Sequence, residues 1–142
     1  MNVRIRITSE IDVHDVVARS EFATKEVEAG RSLRDFIRRS ALVWIAEVDE
    51  VVACVWGVFT PSLLSDRAYL WLLTTDVAQE HQFLLVRYSQ RMVEEILNRY
   101  SEIYGHCAIG QDRSIRWLRW LGAEFGEPAG LLLPFVIRKR HG

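Results

Sequence analysis

A long amphipathic stretch set between two short, continuously apolar runs constrains this chain more than any other feature. Tyr69–Leu73 and Ile103–Ile109 are apolar, bounded by turn residues and too short for typical helices, so both read as strands. Between them, Leu85, Met92, Ile96 and Tyr100 recur on one helical face from about Gln82 to Tyr100, with Arg87, Arg91, Glu94, Glu95 and Arg99 largely opposite. Strand, long helix, strand closes as a right-handed crossover, so the two runs are expected to be parallel neighbours in a mixed sheet.

The flanking segments extend that sheet. Val3, Ile5 and Ile7 alternate with Arg4 and Arg6 as a first strand, followed by a helix through about Arg19 that Ser9 or Asp12 could cap. Gly30 breaks the chain and Ser32 is a plausible N-cap for a short helix carrying Leu33, Phe36 and Ile37. Leu42–Glu47 and Val51–Phe59 are β-branched and aromatic runs joined through Val48, Asp49 and Glu50, the pattern of a hairpin, and Pro61 ends its second arm. Gly110 closes the Ile103–Ile109 strand before a helix bearing Ile115, Leu118 and Leu121, which Gly122 stops. Ala123–Phe125 and Leu131–Ile137 complete the chain as strands linked through Gly126, Pro128 and Gly130. The expected order is β-α-α-β-β-β-α-β-α-β-β, an α/β class with a mixed sheet, in a single domain over residues 1–142.

Charge and composition remove several function classes. Eighteen basic against nineteen acidic side chains leave a formal charge of -1, which argues against nucleic acid as the partner. No apolar run approaches the roughly 20 residues needed to span a bilayer, and the N-terminus lacks signal-peptide form, so a soluble cytoplasmic protein is expected. Cys54 and Cys107 lie in apolar strands as buried thiols, although Cys107 also invites a nucleophilic reading. His14, His81, His106 and His141 show no metal-ligand spacing, so no metal is expected. Arg113, Arg116 and Arg119 beside Trp117 and Trp120 form the most unusual surface: a grip for phosphates or a protein partner, or a snorkelling face over a Trp-rich core.

The run Ile45-Ala46-Glu47-Val48-Asp49-Glu50-Val51-Val52-Ala53, and Gln111, Ser114, Trp117-Leu118 and Gly122 at their mutual offsets, resemble the GNAT acyltransferases across nearly the whole chain. A narrower resemblance over Tyr69–Ile137, carried by Leu72-Leu73-Thr74-Thr75-Asp76 and by the stretch from Ser114 to Phe125, is to GNAT-like proteins of tailed bacteriophages and prophages, including internal virion or assembly proteins. This resemblance implies a GNAT fold and an acetyl-CoA or other acyl-CoA dependent N-acyltransferase with an amine acceptor. Its phage branch implies the alternative of an inert virion, assembly or host-interaction protein, with Arg113, Arg116, Arg119, Trp117 and Trp120 as contact surface, in host cytoplasm or virion.

The resemblance also assigns candidate roles. Acyl-CoA is expected between the strands ending near Thr74 and beginning near Ile103, with Gln79, His81, Gln82, Phe83 and Leu84 at its pyrophosphate and Gln111, Arg113, Ser114 and Trp117 toward the rest of the ligand. The family's glycine-rich turn falls on Asp76–Leu84, which holds no glycine, and Asp76 and Glu80 add negative charge beside the anion position. Asp76 is either the cap of the long helix or a proton acceptor, and Glu47 either a base or part of a solvated turn. The position where the family often carries a proton-donating tyrosine is Leu118, which leaves Tyr104 or Tyr88 as substitutes.

Overall fold

The computed structural model describes residues 2–8, 10–19, 26–110 and 112–139, and for residues 17, 19, 26–32, 79, 85 and 108 the main chain alone. Its elements are β1 Val3–Ile7, α1 Val13–Arg19, α2 Glu26–Arg39, β2 Leu42–Val48, β3 Val51–Phe59, β4 Arg67–Thr74, α3 Asp76–Glu80, α4 Gln82–Arg99, β5 Glu102–Ala108, α5 Asp112–Trp120, β6 Glu124–Phe125 and β7 Leu132–Arg138. The seven strands form a mixed sheet in the order β1-β2-β3-β4-β5-β7-β6. Two helices, rather than the expected one, join β4 to β5. The chain divides into two compact units, Met1–Phe59 with Trp71–Gln82, and Thr60–Leu70 with Phe83–Gly142.

In the first unit, α1 starts where Asp12 accepts a hydrogen bond at Oδ1 from the Asp15 amide at 3.0 Å. The other candidate cap, Ser9, lies outside the described residues. The expected break at Gly30 is corrected: α2 runs unbroken through Gly30 and Ser32. A helical glycine costs about 0.5–1 kcal/mol, and the turns beyond it recover that by burying Leu33 and stacking Phe36 on Trp71, with centroids 5.7 Å apart and planes 10° apart.

The β2–β3 hairpin turns on two residues rather than three. Val48 pairs with Val51, and Asp49 and Glu50 adopt positive φ of 49° and 69°. Both central residues in that region make a type I′ turn, whose twist matches the strands it joins. Asp49 ties the turn to β1, donating its N–H to the Asn2 carbonyl at 2.8 Å and accepting at Oδ1 from the Asn2 amide at 2.8 Å. Residues 52–58 of β3 are all buried, as expected of a central strand.

In the second unit, Arg67–Tyr69 of β4 pairs in parallel with Glu102–Tyr104 of β5, as the crossover argument requires. β5 pairs antiparallel with β7 from Glu102–Arg138 to Ala108–Leu132, and β6 pairs with β7. Ile103, Phe135, Ile137, Val93, Ile96 and Leu118 are core residues. The expected polar face of α4 is exposed at Arg87, Arg91, Glu94, Glu95 and Arg99, while its buried stripe runs through Ser89, Val93 and Ile96. α5 is closed beyond Trp120 by Gly122, φ 98°, where Ala123 donates to the Leu118 carbonyl and Gly122 to that of Arg119, each at 2.9 Å. That pair of bonds is a Schellman cap. No helix among the described residues is long and apolar enough to cross a membrane.

Candidate functional site

The end of β4 is fixed by a buried hydroxyl. Thr75 is 0% exposed; its Oγ1 donates to the carbonyls of Val52 at 2.7 Å and Ala53 at 3.2 Å, and its amide donates to Ala53 at 2.9 Å. Because that hydroxyl is spent on β3, Thr75 stands at the N-cap of α3 without capping it. Asp76 instead accepts at Oδ1 from the next amide, Val77, at 3.0 Å. Asp76 as the cap of the long helix is therefore corrected: it belongs to a separate five-residue helix that ends at His81, whose amide returns to the Ala78 carbonyl at 3.3 Å. Replacing Thr75 with the near-isosteric valine is expected to cost about 1–3 kcal/mol, since it strands part of a buried carbonyl's hydrogen bonding. Urea denaturation checks this, and an unchanged midpoint contradicts it.

The other candidates are distributed as follows. Glu47 lies beside a β-bulge at Ala46–Glu47 and its Oε1 accepts from Arg6 Nε at 2.9 Å, with its side chain 18% exposed, so it is an ion-paired strand residue rather than part of a solvated turn. Glu47 and Asp76 share no hydrogen bond or ion pair. Thr74, His81 and Leu84 are half-buried, Gln82 is exposed and Phe83 is 93% exposed at the start of α4. The Gln79 side chain and all of Gln111 lie outside the described residues. Arg113, Arg116 and Arg119 are exposed and Ser114 is half-buried. Trp117 is half-buried and donates its indole N–H to Ser89 Oγ at 2.9 Å, and that hydroxyl passes its own proton to the Val86 carbonyl at 2.7 Å. Trp117 therefore ties α5 to α4, while Trp120, 51% exposed, is the outward tryptophan. Leu118 is a core residue, 8% exposed.

One constellation escaped the sequence reading. Tyr69 Oη lies 3.1 Å from His106 Nδ1, and Tyr104 packs edge-on against Tyr69 with centroids 5.2 Å apart. Burial first, and the neighbouring Tyr104 second, push the Tyr69 phenol above its ordinary pKa. The Arg67 guanidinium lies 4.6 Å from the centre of the Tyr104 ring, and Arg67 also pairs with Glu102. Arg138 joins Glu102 at 3.4 Å and Glu124 at 3.0 Å. The signal was present as Tyr104-Gly105-His106 in one strand and Tyr69 in its parallel neighbour, but only the register makes them adjacent.

Both cysteines are buried, and burial raises both thiols above their ordinary pKa. Neither offers a thiolate for nucleophilic chemistry at neutral pH. A raised folded-state pKa stabilises the fold below the unfolded thiol value of 9.0 and is lost as pH climbs past it. Urea midpoints should therefore fall between about pH 8 and pH 10, with Cys54→Val flattening the decline. Among the described residues no group of three His, Cys, Asp or Glu side chains is placed to hold a metal ion.

No family model matches the chain, and no curated protein matches it. Solved structures do. The chain is similar to PH1933 from Pyrococcus horikoshii at a TM-score of 0.76 and 9% identity, over 99% of this chain and 100% of that one. It is similar to a Bacillus subtilis acetyltransferase in complex with CoA at a TM-score of 0.71 and 7% identity, covering 98% and 100%. A ribosomal-protein-alanine N-acetyltransferase from Brucella melitensis gives 0.69 at 16% identity, covering 96% and 99%. The fold of this chain is that of the GNAT-family acetyltransferases.

Proposed function

We propose that this chain is an N-acyltransferase that moves an acyl group, acetyl first, from CoA to an amine. The observation that carries the reading is the layout at the end of β4: a strand anchored through buried Thr75, then a short helix, then the amino end of the 18-residue α4. Helix amino ends offer unpaired amides to an anion, and this one belongs to a fold that in the Bacillus subtilis acetyltransferase accommodates CoA. On this reading the diphosphate is held by the amides of Gln82, Phe83 and Leu84 with polar side chains at His81 and Gln82, and Gln79 stays a candidate from the sequence alone. With no glycine or cation in that first turn, and with Asp76 and Glu80 nearby, the hold is weaker than a glycine-lined turn provides.

Thr74 would border the thioester, and Gln111, Arg113, Ser114 and Trp117 would meet the remainder of the ligand. CoA supplies an activated acyl carbon; the protein's task is to orient the amine and take its proton, with Glu47 and Asp76 as candidate acceptors. Titration calorimetry with acetyl-CoA, desulfo-CoA and CoA tests this. Micromolar affinity, about -8 kcal/mol, supports the reading, and no heat up to millimolar ligand with an unchanged melting temperature sinks it.

A second reading keeps the fold without turnover. It is favoured by the buried Leu118 where the family often has a tyrosine and by the absence of any glycine from Asp76–Leu84. On this reading the protein belongs to a phage or prophage, and Arg113, Arg116, Arg119, Trp117 and Trp120 meet a virion or host protein; its support is the sequence resemblance over Tyr69–Ile137. Failure to bind CoA, joined with recovery of the protein in purified particles, is the result it requires.

A further inference from the structure

We propose that the free edge of β1 is a docking site for an extended segment of another protein in which carboxylate and apolar side chains alternate, an interaction independent of the acyltransferase reading. β1 ends the strand order, and among the described residues no strand lies beyond it. Its pairing with β2 fixes which main-chain groups are spent. The Thr8 amide donates to the Val43 carbonyl at 3.0 Å and the Asp49 amide to the Asn2 carbonyl at 2.8 Å, so the even-numbered residues of β1 form the hydrogen-bonded pairs of this ladder. Val3, Ile5 and Ile7 therefore each turn an N–H and a C=O away from β2, along an edge that can take a further strand.

Side chains along that edge alternate apolar with basic. Ile5 is 39% and Ile7 55% exposed, and Arg4 is exposed with no ion pair among the described residues. Arg6 gives its Nε–H to Glu47 Oε1 at 2.9 Å, so one carboxylate answers two cations. This charge pattern rejects a second copy. Every two-fold register that sets Ile5 opposite Val3, Ile5 or Ile7 of another β1 also sets arginine opposite arginine, and like charges directly across a strand pair are destabilising. The segment that fits instead carries carboxylates opposite Arg4 and Arg6 and apolar side chains opposite Val3, Ile5 and Ile7. Glu10 beyond one end of β1, and Asp49 and Glu50 beyond the other, are exposed, so the flanks of that segment are neutral or basic.

In strand addition the main-chain bonds supply affinity for any extended segment, and the alternate side chains make the choice among segments. Turning both opposite-charge pairs into like-charge pairs removes two attractions and adds two repulsions, which is expected to weaken binding on the order of 10-fold. Because Arg4 is exposed, its share of the attraction falls as salt rises.

The test uses the full chain and the peptide acetyl-Lys-Thr-Val-Glu-Val-Glu-Val-Thr-Lys-amide, whose palindromic order gives the same side-chain pairs in either strand direction. NMR reads amide hydrogen exchange and chemical shifts as peptide is added. With saturating peptide the amides of Val3, Ile5 and Ile7 are expected to gain about 10-fold or more in protection, while those of Arg4 and Arg6, already bonded to β2, change little. A peptide with lysine in place of both glutamates should bind on the order of 10-fold more weakly. Arg4→Gln should lower affinity for the glutamate peptide about 3-fold and shrink its salt dependence. Unchanged exchange at Val3, Ile5 and Ile7, or equal affinity for the two peptides, overturns the proposal. Shifts confined to Arg113, Arg116 and Arg119 assign the acidic peptide to α5 and overturn it as well. Protection of the same three β1 amides that grows with protein concentration in the absence of peptide means that a second copy takes the edge, which overturns the choice of partner.

Discussion

Alanine at Gly57 is expected to cost about 2–4 kcal/mol of stability, the sum of overpacking in a closed core and a lost buried hydrogen bond. A Cβ built there would sit 2.6 Å from Trp71 Cζ2, 2.7 Å from Cε2 and 2.8 Å from Nε1. Those are atoms of a rigid ring, so no flexible tip can swing away. The ring itself is held on two further sides. Phe36 stacks against it with planes 10° apart, and Nε1 donates to Ser40 Oγ at 2.7 Å while that hydroxyl donates to the Phe36 carbonyl at 2.6 Å. Moving the indole therefore disturbs the carboxyl end of α2 as well as the sheet. Urea denaturation followed by tryptophan fluorescence measures the loss. A double-mutant cycle assigns its cause: in a Trp71→Phe background the clashing atoms are gone, and Gly57→Ala should cost less than about 1 kcal/mol. Equal costs in both backgrounds would mean that backbone conformation, rather than the ring, demands glycine.

The contrast between Gly57 and Gly30 explains much of what the sequence could and could not disclose. Gly30 looked like a break because glycine disfavours helices locally, yet α2 passes through it, since burial of Leu33 and the Phe36 stack depend on contacts distant in sequence. Gly57 carries no signal of its own within the Val51–Phe59 run, and it is Trp71 on the neighbouring strand that closes the space beside it. The crossover from Tyr69 to Ile109 was legible because its signals are periodic and long. α3 was not, since five residues carry too little period to separate a helix from a loop. The same division holds at the candidate site. The stretch from Asp76 to Leu84 could be located by its place after an apolar strand. The Thr75 hydroxyl and the Tyr69–His106 pair could not, because each depends on which atom of a neighbouring strand lies opposite.

Phe83→Glu is expected to move stability and ligand affinity in opposite directions. Phe83 is 93% exposed in the first turn of α4, so little packing is lost with its ring. A carboxylate there faces the positive end of the helix dipole and should stabilise the fold by about 0.3–1 kcal/mol. The same carboxylate would stand beside the amides proposed to hold the CoA diphosphate, joining Asp76 and Glu80. At a separation of about 7 Å and an effective dielectric constant of about 40, its repulsion of a doubly charged group is about 2 kcal/mol, which lowers acetyl-CoA affinity on the order of 30-fold. Salt should shrink that penalty, because exposed charges are screened. Phe83→Gln is the neutral control, expected to leave affinity within a factor of about 3, since it changes shape without adding charge. A rise in melting temperature with unchanged acetyl-CoA affinity in Phe83→Glu would place the diphosphate away from α4, whereas weaker binding relieved by salt would place it at that helix's amino end.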